Sequence, residues 1–262
     1  MAPLRLIHSQ SAPASQTADA TMPPIWKESL WPMDWLALRL SPVYSGRAVP
    51  SGDGSPVVLV PGFLGTDAYL YELHSWLGRI GYRPYLSGIG INAQCPGRLT
   101  ERLLNTVERA HAETGMSVRI VGHSLGGVIG RRAALERPDI ISQLIYLGSP
   151  VQAVHAHPAI AAMVSLLRLA LTTLSVDAPD CLSERCNCGF LKSVLQPLPD
   201  AVQHAAIYTR ADAVVDWHDT QELDPRLNHE VGGTHIGLVY NPQAYRELAD
   251  LLAEASPLER AA

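Results

Sequence analysis

Ser124 stands between two glycines at the end of an apolar run, in RIVGHSLGGVIG, residues 119 to 130. A serine hydroxyl is a poor nucleophile at its free pKa and needs a neighbouring base. The spacing Gly122-x-Ser124-x-Gly126 supplies geometry for one. It sets the serine on a sharp strand-to-helix turn, and the glycines permit close backbone approach. The same residues also suit a glycine-rich turn without chemistry. The choice rests on whether the chain also provides an acid, a base and N–H donors, in the order serine, acid, histidine.

Ten histidines are available. His235, in GGTHIGL, lies in a glycine-rich loop before the last helical pattern, where a loop at the sheet's carboxyl edge can carry an imidazole over Ser124. His229 competes but is expected to begin a strand. His123 sits in the elbow and is expected to pack beneath it. His155 and His157 precede an apolar helix and read as surface or lid residues. For the acid, YTRADAVVDW offers Asp212 and Asp216. Asp212 directly follows an apolar strand and is favoured; Asp216 is the alternate, better suited to bracing its loop. Asp219 and Asp224 read as surface loop residues. A developing oxyanion needs preorganised N–H donors. The backbone of Leu125 is one, and Phe63, in Pro61-Gly62-Phe63-Leu64-Gly65, is the other, with Leu64 as its alternate.

Alternating strand and helix patterns would position these residues. Strands are expected at residues 56–63, 83–91, 117–124, 141–150, 205–212 and near 229–231, and helices at 67–82, 97–115, 125–138 and 242–255. Such alternation implies a mostly parallel sheet flanked by helices. Residues 1–24 read as a disordered leader. Residues 25–50 read as an N-terminal helix, interrupted by Pro32 and packed on the domain, followed by a linker. Residues 51–262 form the main domain. Residues 151–203 break the rhythm with an apolar helix at 159–176 and the cysteines of CLSERCNC, far more chain than a turn needs.

Composition narrows the partners. With 47% hydrophobic and 17% charged residues and a net charge of −5, a nucleic-acid partner has no electrostatic support. No uncharged run is long enough to span a bilayer, although the aromatic segment at 25–40 leaves room for transient membrane-surface contact. The leader lacks the apolar core of a signal peptide, so the cytoplasm is the expected location. Cys95 stands apart from Cys181, Cys186 and Cys188. A disulfide inside the cluster and free thiols both remain open, and a zinc site would lack a fourth ligand at ordinary spacing. Gly52, Gly54 and Gly62 do not make a dinucleotide fingerprint. No cofactor and no metal are expected.

VVLVPGFLG, GHSLGGVIGRRAALERP, IYTRADAVVDW and GGTHIGL resemble the strand-turn signatures of the α/β-hydrolase superfamily. Within it, the chain resembles bacterial lipase-like serine hydrolases over about residues 55–255. The resemblance implies an α/β-hydrolase fold in which residues 151–203 serve as a helical lid. It also implies acyl transfer to water through an ester on Ser124, with Asp212 and His235 completing the triad. The apolar insertion favours carboxylic esters with an aliphatic acyl part, as small molecules or lipids. An acyltransferase on the same triad, and a non-catalytic binding protein of the same fold, are the alternatives.

Overall fold

Along β1 (Pro56–Val60), successive side chains enter two different cores. Val57 and Leu59 join one apolar cluster, and Val58 and Val60 join the other. That period of two, with every residue buried, is what a strand covered on both faces requires. The computed structural model describes residues 22–152 and 196–254 and, between them, residues 157, 158, 162, 163, 165 and 190. Most of the expected leader and lid, with His155, Cys181, Cys186 and Cys188, lies outside the described residues.

Five further strands follow: β2 (Arg83–Leu86), β3 (Val118–His123), β4 (Ile141–Leu147), β5 (Gln203–Tyr208) and β6 (Asn228–Glu230). They form one sheet of order β2-β1-β3-β4-β5-β6, and every pair is parallel. Helices α1 (Trp31–Leu40), α2 (Tyr71–Arg79) and α5 (Pro242–Glu254) bury Leu38, Leu73, Trp76, Leu77, Tyr245 and Leu248 on one face. Helices α3 (Pro96–Thr114) and α4 (Leu125–Glu136) bury Leu99, Leu103, Val107, Ile129 and Ala133 on the other. The sheet grows from β1 toward β2 on one side and toward β3 on the other. The carboxyl ends of β1 and β3 therefore flank the switch point where open parallel sheets hold their ligands. The loop carrying Phe63 leaves β1 there, and Ser124 follows β3.

Several elements are shorter than their patterns suggest. The second strand stops at Leu86, short of residue 91, because Gly88 and Gly90 adopt φ of 70° and 79° and Asp67 takes the N–H groups of Ser87 and Gly88. The fourth strand ends at Leu147, where Gly148 turns left-handed with φ 58°. The fifth runs over 203–208 rather than 205–212. The helix expected at 67–82 divides into a 3-10 turn at Asp67–Leu70 and α2. The N-terminal helix likewise divides, into a 3-10 turn at Ile25–Leu30 and α1. Pro32 falls at the start of α1, where its missing N–H would be unsatisfied anyway. Only Leu38 of α1 is buried; Met33, Leu36 and Leu40 are exposed.

Two further expectations need correction. Asp219 is buried, not a surface residue, and its carbonyl accepts the N–H groups of Val151 and Gln152. Cys95, at the N-cap of α3, is disulfide-bonded rather than alone. Among the described residues, no helix is long and apolar enough to cross a membrane.

Candidate active site

Ser124 adopts φ 52° and ψ −127°, a conformation costly for any residue with a Cβ. The chain holds it there by close packing. A Cβ on Gly126 would collide with the carbonyls of Val60 and Pro61, and one on Gly122 with the backbone of Gly127. The elbow can therefore press α4 against β1 and β3 only with glycine at both positions. The Ser124 N–H is fixed to the Leu147 carbonyl at 2.9 Å. Leu125 is the first residue of α4, and its N–H belongs to the first-turn donors that a helix leaves unsatisfied and electropositive.

Asp212 and His235 are brought together by the turns after β5 and β6. Asp212 Oδ2 lies 2.5 Å from His235 Nδ1, and both residues are almost fully buried. Asp212 Oδ1 accepts the N–H groups of Val214 at 2.9 Å and Val215 at 2.8 Å, so both carboxylate oxygens are committed. The imidazole feels opposing influences. Burial disfavours its charged form, but the charge and hydrogen bond of Asp212, with the charge of Glu28, outweigh burial and raise its pKa. A base that readily takes a proton is what Ser124 would require.

Asp216 goes elsewhere. It caps the 3-10 turn at Trp217–Thr220 and lies 2.7 Å from His218. Asp224 caps the following turn and pairs with Arg226. His229 lies within β6, 3.1 Å from Glu247. The His157 N–H bonds the Val214 carbonyl.

In the loop after β1, the Leu64 N–H is already bonded to the Asn92 carbonyl at 2.8 Å, and the Gly62 N–H to the Tyr69 hydroxyl at 2.5 Å. Among the described residues no acceptor is recorded for the Phe63 N–H. Asn92 braces this loop further: its side-chain amide donates to the Pro61 carbonyl at 2.7 Å and its N–H to that of Gly65 at 2.9 Å.

His123 joins these parts. Its Nε2 lies 3.0 Å from the His235 carbonyl and its Nδ1 2.9 Å from the Tyr69 hydroxyl. Burial, then the charge of His235, push its pKa down to about 3, so the ring is neutral. A carbonyl only accepts, so Nε2 carries the proton and Tyr69 donates to Nδ1.

The motif reading missed Tyr69, Asn92 and Glu28. Glu28 is buried in the N-terminal turn and accepts N–H groups from residues 185, 207 and 208 positions away. Its partners are all backbone, so no side-chain motif could have marked it. Tyr69 and Asn92 likewise act on backbone groups of a loop that carries the only visible signal.

The six-stranded parallel sheet, the strained serine after β3 and the acid and histidine loops after β5 and β6 define the α/β-hydrolase fold. The chain is similar to lipases and esterases of that fold. Among relatives, it is 32% identical over 125 residues to a triacylglycerol lipase of Burkholderia plantarii, covering 44% of this chain and 35% of the relative. It is 33% identical over 115 residues to a triacylglycerol lipase of Vibrio cholerae, covering 42% and 35%. The chain thus spans about a third of the length of the curated relatives it matches. Among solved structures, lipase B of Aspergillus fumigatus superposes with a TM-score of 0.58 at 18% identity, covering 81% of this chain and 56% of that one. A Bacillus licheniformis lipase in mature form superposes with a TM-score of 0.53 at 14% identity, covering 78% and 94%. No family model matches the chain.

Proposed function

We propose that this chain hydrolyses carboxylic esters through an acyl-serine intermediate, acting on small-molecule or lipid esters with an aliphatic acyl part. His235 Nε2 removes the Ser124 proton as Oγ attacks the ester carbonyl. The N–H groups of Phe63 and Leu125 receive the oxyanion, and the protonated His235 then delivers its proton to the leaving alcohol. Water, deprotonated by the same ring, attacks the acyl carbonyl, and as the bond to Oγ breaks the ring returns that proton to Ser124 and the carboxylic acid leaves. Asp212 fixes the proton on Nδ1 and stabilises the imidazolium.

The observation that carries this reading is the buried 2.5 Å contact between Asp212 and His235. His235 is in turn bonded through its carbonyl to the residue preceding the strained Ser124. The names of the matched relatives support ester substrates. A p-nitrophenyl ester series from acetate to palmitate tests it. Turnover in the wild type, abolished in Ser124→Ala, is expected, and a chain-length optimum would report the depth of the acyl site. Equal activity in Ser124→Ala would exclude the mechanism.

A further inference from the structure

The N-terminal segment ahead of the sheet reaches the histidine loop with two carboxylates. Glu28 is only 5% exposed. Its Oε1 accepts the N–H of Ala213 at 3.0 Å and that of His235 at 3.2 Å, and its Oε2 accepts the N–H of Ile236 at 2.8 Å. Asp34 accepts from the Asn241 side chain at 2.9 Å. Two consecutive N–H groups, of His235 and Ile236, thus end on the Glu28 carboxylate. They lie where a 3-10 helix, Ile236–Tyr240, begins, so they point along its electropositive end and lack partners within it.

Glu28 does more than cap. Ala213 follows the acid and His235 is the histidine, so one carboxylate ties together the two loops on which the acid-histidine contact depends. A buried carboxylate is retained where its hydrogen bonds repay its desolvation, and here the bonds to Ala213, His235 and Ile236 all run to these loops. Its charge also favours the imidazolium form of His235.

We propose that Glu28 is a positioning residue of the candidate active site: its carboxylate holds the Asp212 and His235 loops in one frame and so sets the placement of the imidazole. This inference rests on the hydrolase reading for its kinetic consequence. Among the described residues, the titratable groups facing His235 are Asp212 from the loop after β5, Glu28 from the N-terminal turn and His123 from the end of β3. Asp34 lies behind the loop, from α1.

The test compares Glu28→Ala, Glu28→Gln and Val43→Ala with the full-length wild type. Val43→Ala loosens the same segment at its other end, where Val43 is buried and its carbonyl holds the Trp76 indole N–H. With a p-nitrophenyl ester, Glu28→Ala is expected to lower kcat between tenfold and a hundredfold with KM within twofold. Glu28→Gln, which keeps one acceptor oxygen but no charge, is expected to fall between. Val43→Ala is expected to lower the melting temperature but keep kcat within twofold. NMR supplies a reading that needs no turnover: the His235 ring is expected to titrate at lower pH in Glu28→Gln, and the amides of residues 213, 235 and 236 to exchange faster. Folded Glu28 variants with unchanged kcat, or with unchanged His235 titration and amide exchange, would overturn the proposal. So would an equal loss of kcat in Val43→Ala. A wild type without esterase activity that keeps the expected NMR differences would sink the hydrolase reading and leave the positioning role standing.

Discussion

The Tyr69 hydroxyl donates to His123 Nδ1 across 2.9 Å, and this bond couples the loop after β1 to the elbow after β3. The same hydroxyl accepts the Gly62 N–H, and the far side of the His123 ring donates to the His235 carbonyl. One chain of hydrogen bonds therefore runs from the proposed oxyanion loop, through the residue preceding Ser124, to the proposed base, His235. Burial holds the Tyr69 hydroxyl well above the usual phenol range, so it stays protonated and able to donate.

Tyr69→Phe should break that chain. The ring volume remains, but the Gly62 N–H and His123 Nδ1 lose their partner, each at about 1–3 kcal/mol where burial is complete. The expected outcome is a drop in kcat of about tenfold with a lowered melting temperature, read by steady-state kinetics and calorimetry.

Asp212→Asn and Asp216→Asn separate the two acids. Asp212→Asn removes the acceptor that sets the tautomer, a change of about 10³–10⁴ in kcat; Asp216→Asn should stay within about twofold, since Asp216 braces a turn beside His218. The pH profile gives the sign. His235 must be neutral to act as base, so activity falls as pH drops through its raised pKa. Residual activity in Asp212→Asn should persist to lower pH, because the carboxylate charge favouring the imidazolium is gone.

His123 predicts an acid sensitivity. An unfolded histidine binds a proton near pH 6.5, while the buried ring resists until about 3. A depressed histidine contributes a loss of stability as pH falls below the unfolded value. Between pH 6.5 and 4.5 this amounts to roughly 2–3 kcal/mol. Chemical denaturation of wild type and His123→Gln over that range should show the wild type losing its advantage by about this amount.

The strain at Ser124 should be measurable as stability. Its positive φ costs about 1–3 kcal/mol with a Cβ present, and glycine recovers this less about 0.5–1 kcal/mol of backbone entropy. Ser124→Gly should therefore melt above Ser124→Ala, although both are inactive. Matching melting temperatures would contradict a strained elbow.

The order of strands and helices was legible because each buried strand is a short apolar run and each helix carries its own period and stop, such as Gly115 after α3 with φ 66°. Strand ends were overread where glycines turn the chain, at Gly88, Gly90 and Gly148. Ser124, Asp212 and His235 were legible because motif spacing and chain order constrain side chains. Glu28 and Asn92 were not, because each acts on backbone groups that look alike in any sequence, and Tyr69 was not, because its side-chain partner His123 lies 54 positions away. The Cys95 disulfide escaped for a related reason: pairing depends on distance in space, which spacing along the chain does not report.

The proposed mechanism makes Ser124 a nucleophile activated by His235. Fluorophosphonate labelling followed by peptide mass mapping tests it most directly. The account predicts one adduct, on Ser124, absent in Ser124→Ala and slowed by about a thousandfold or more in His235→Ala. Failure of the folded wild type to label, an adduct on another serine, or labelling unchanged in His235→Ala would contradict it.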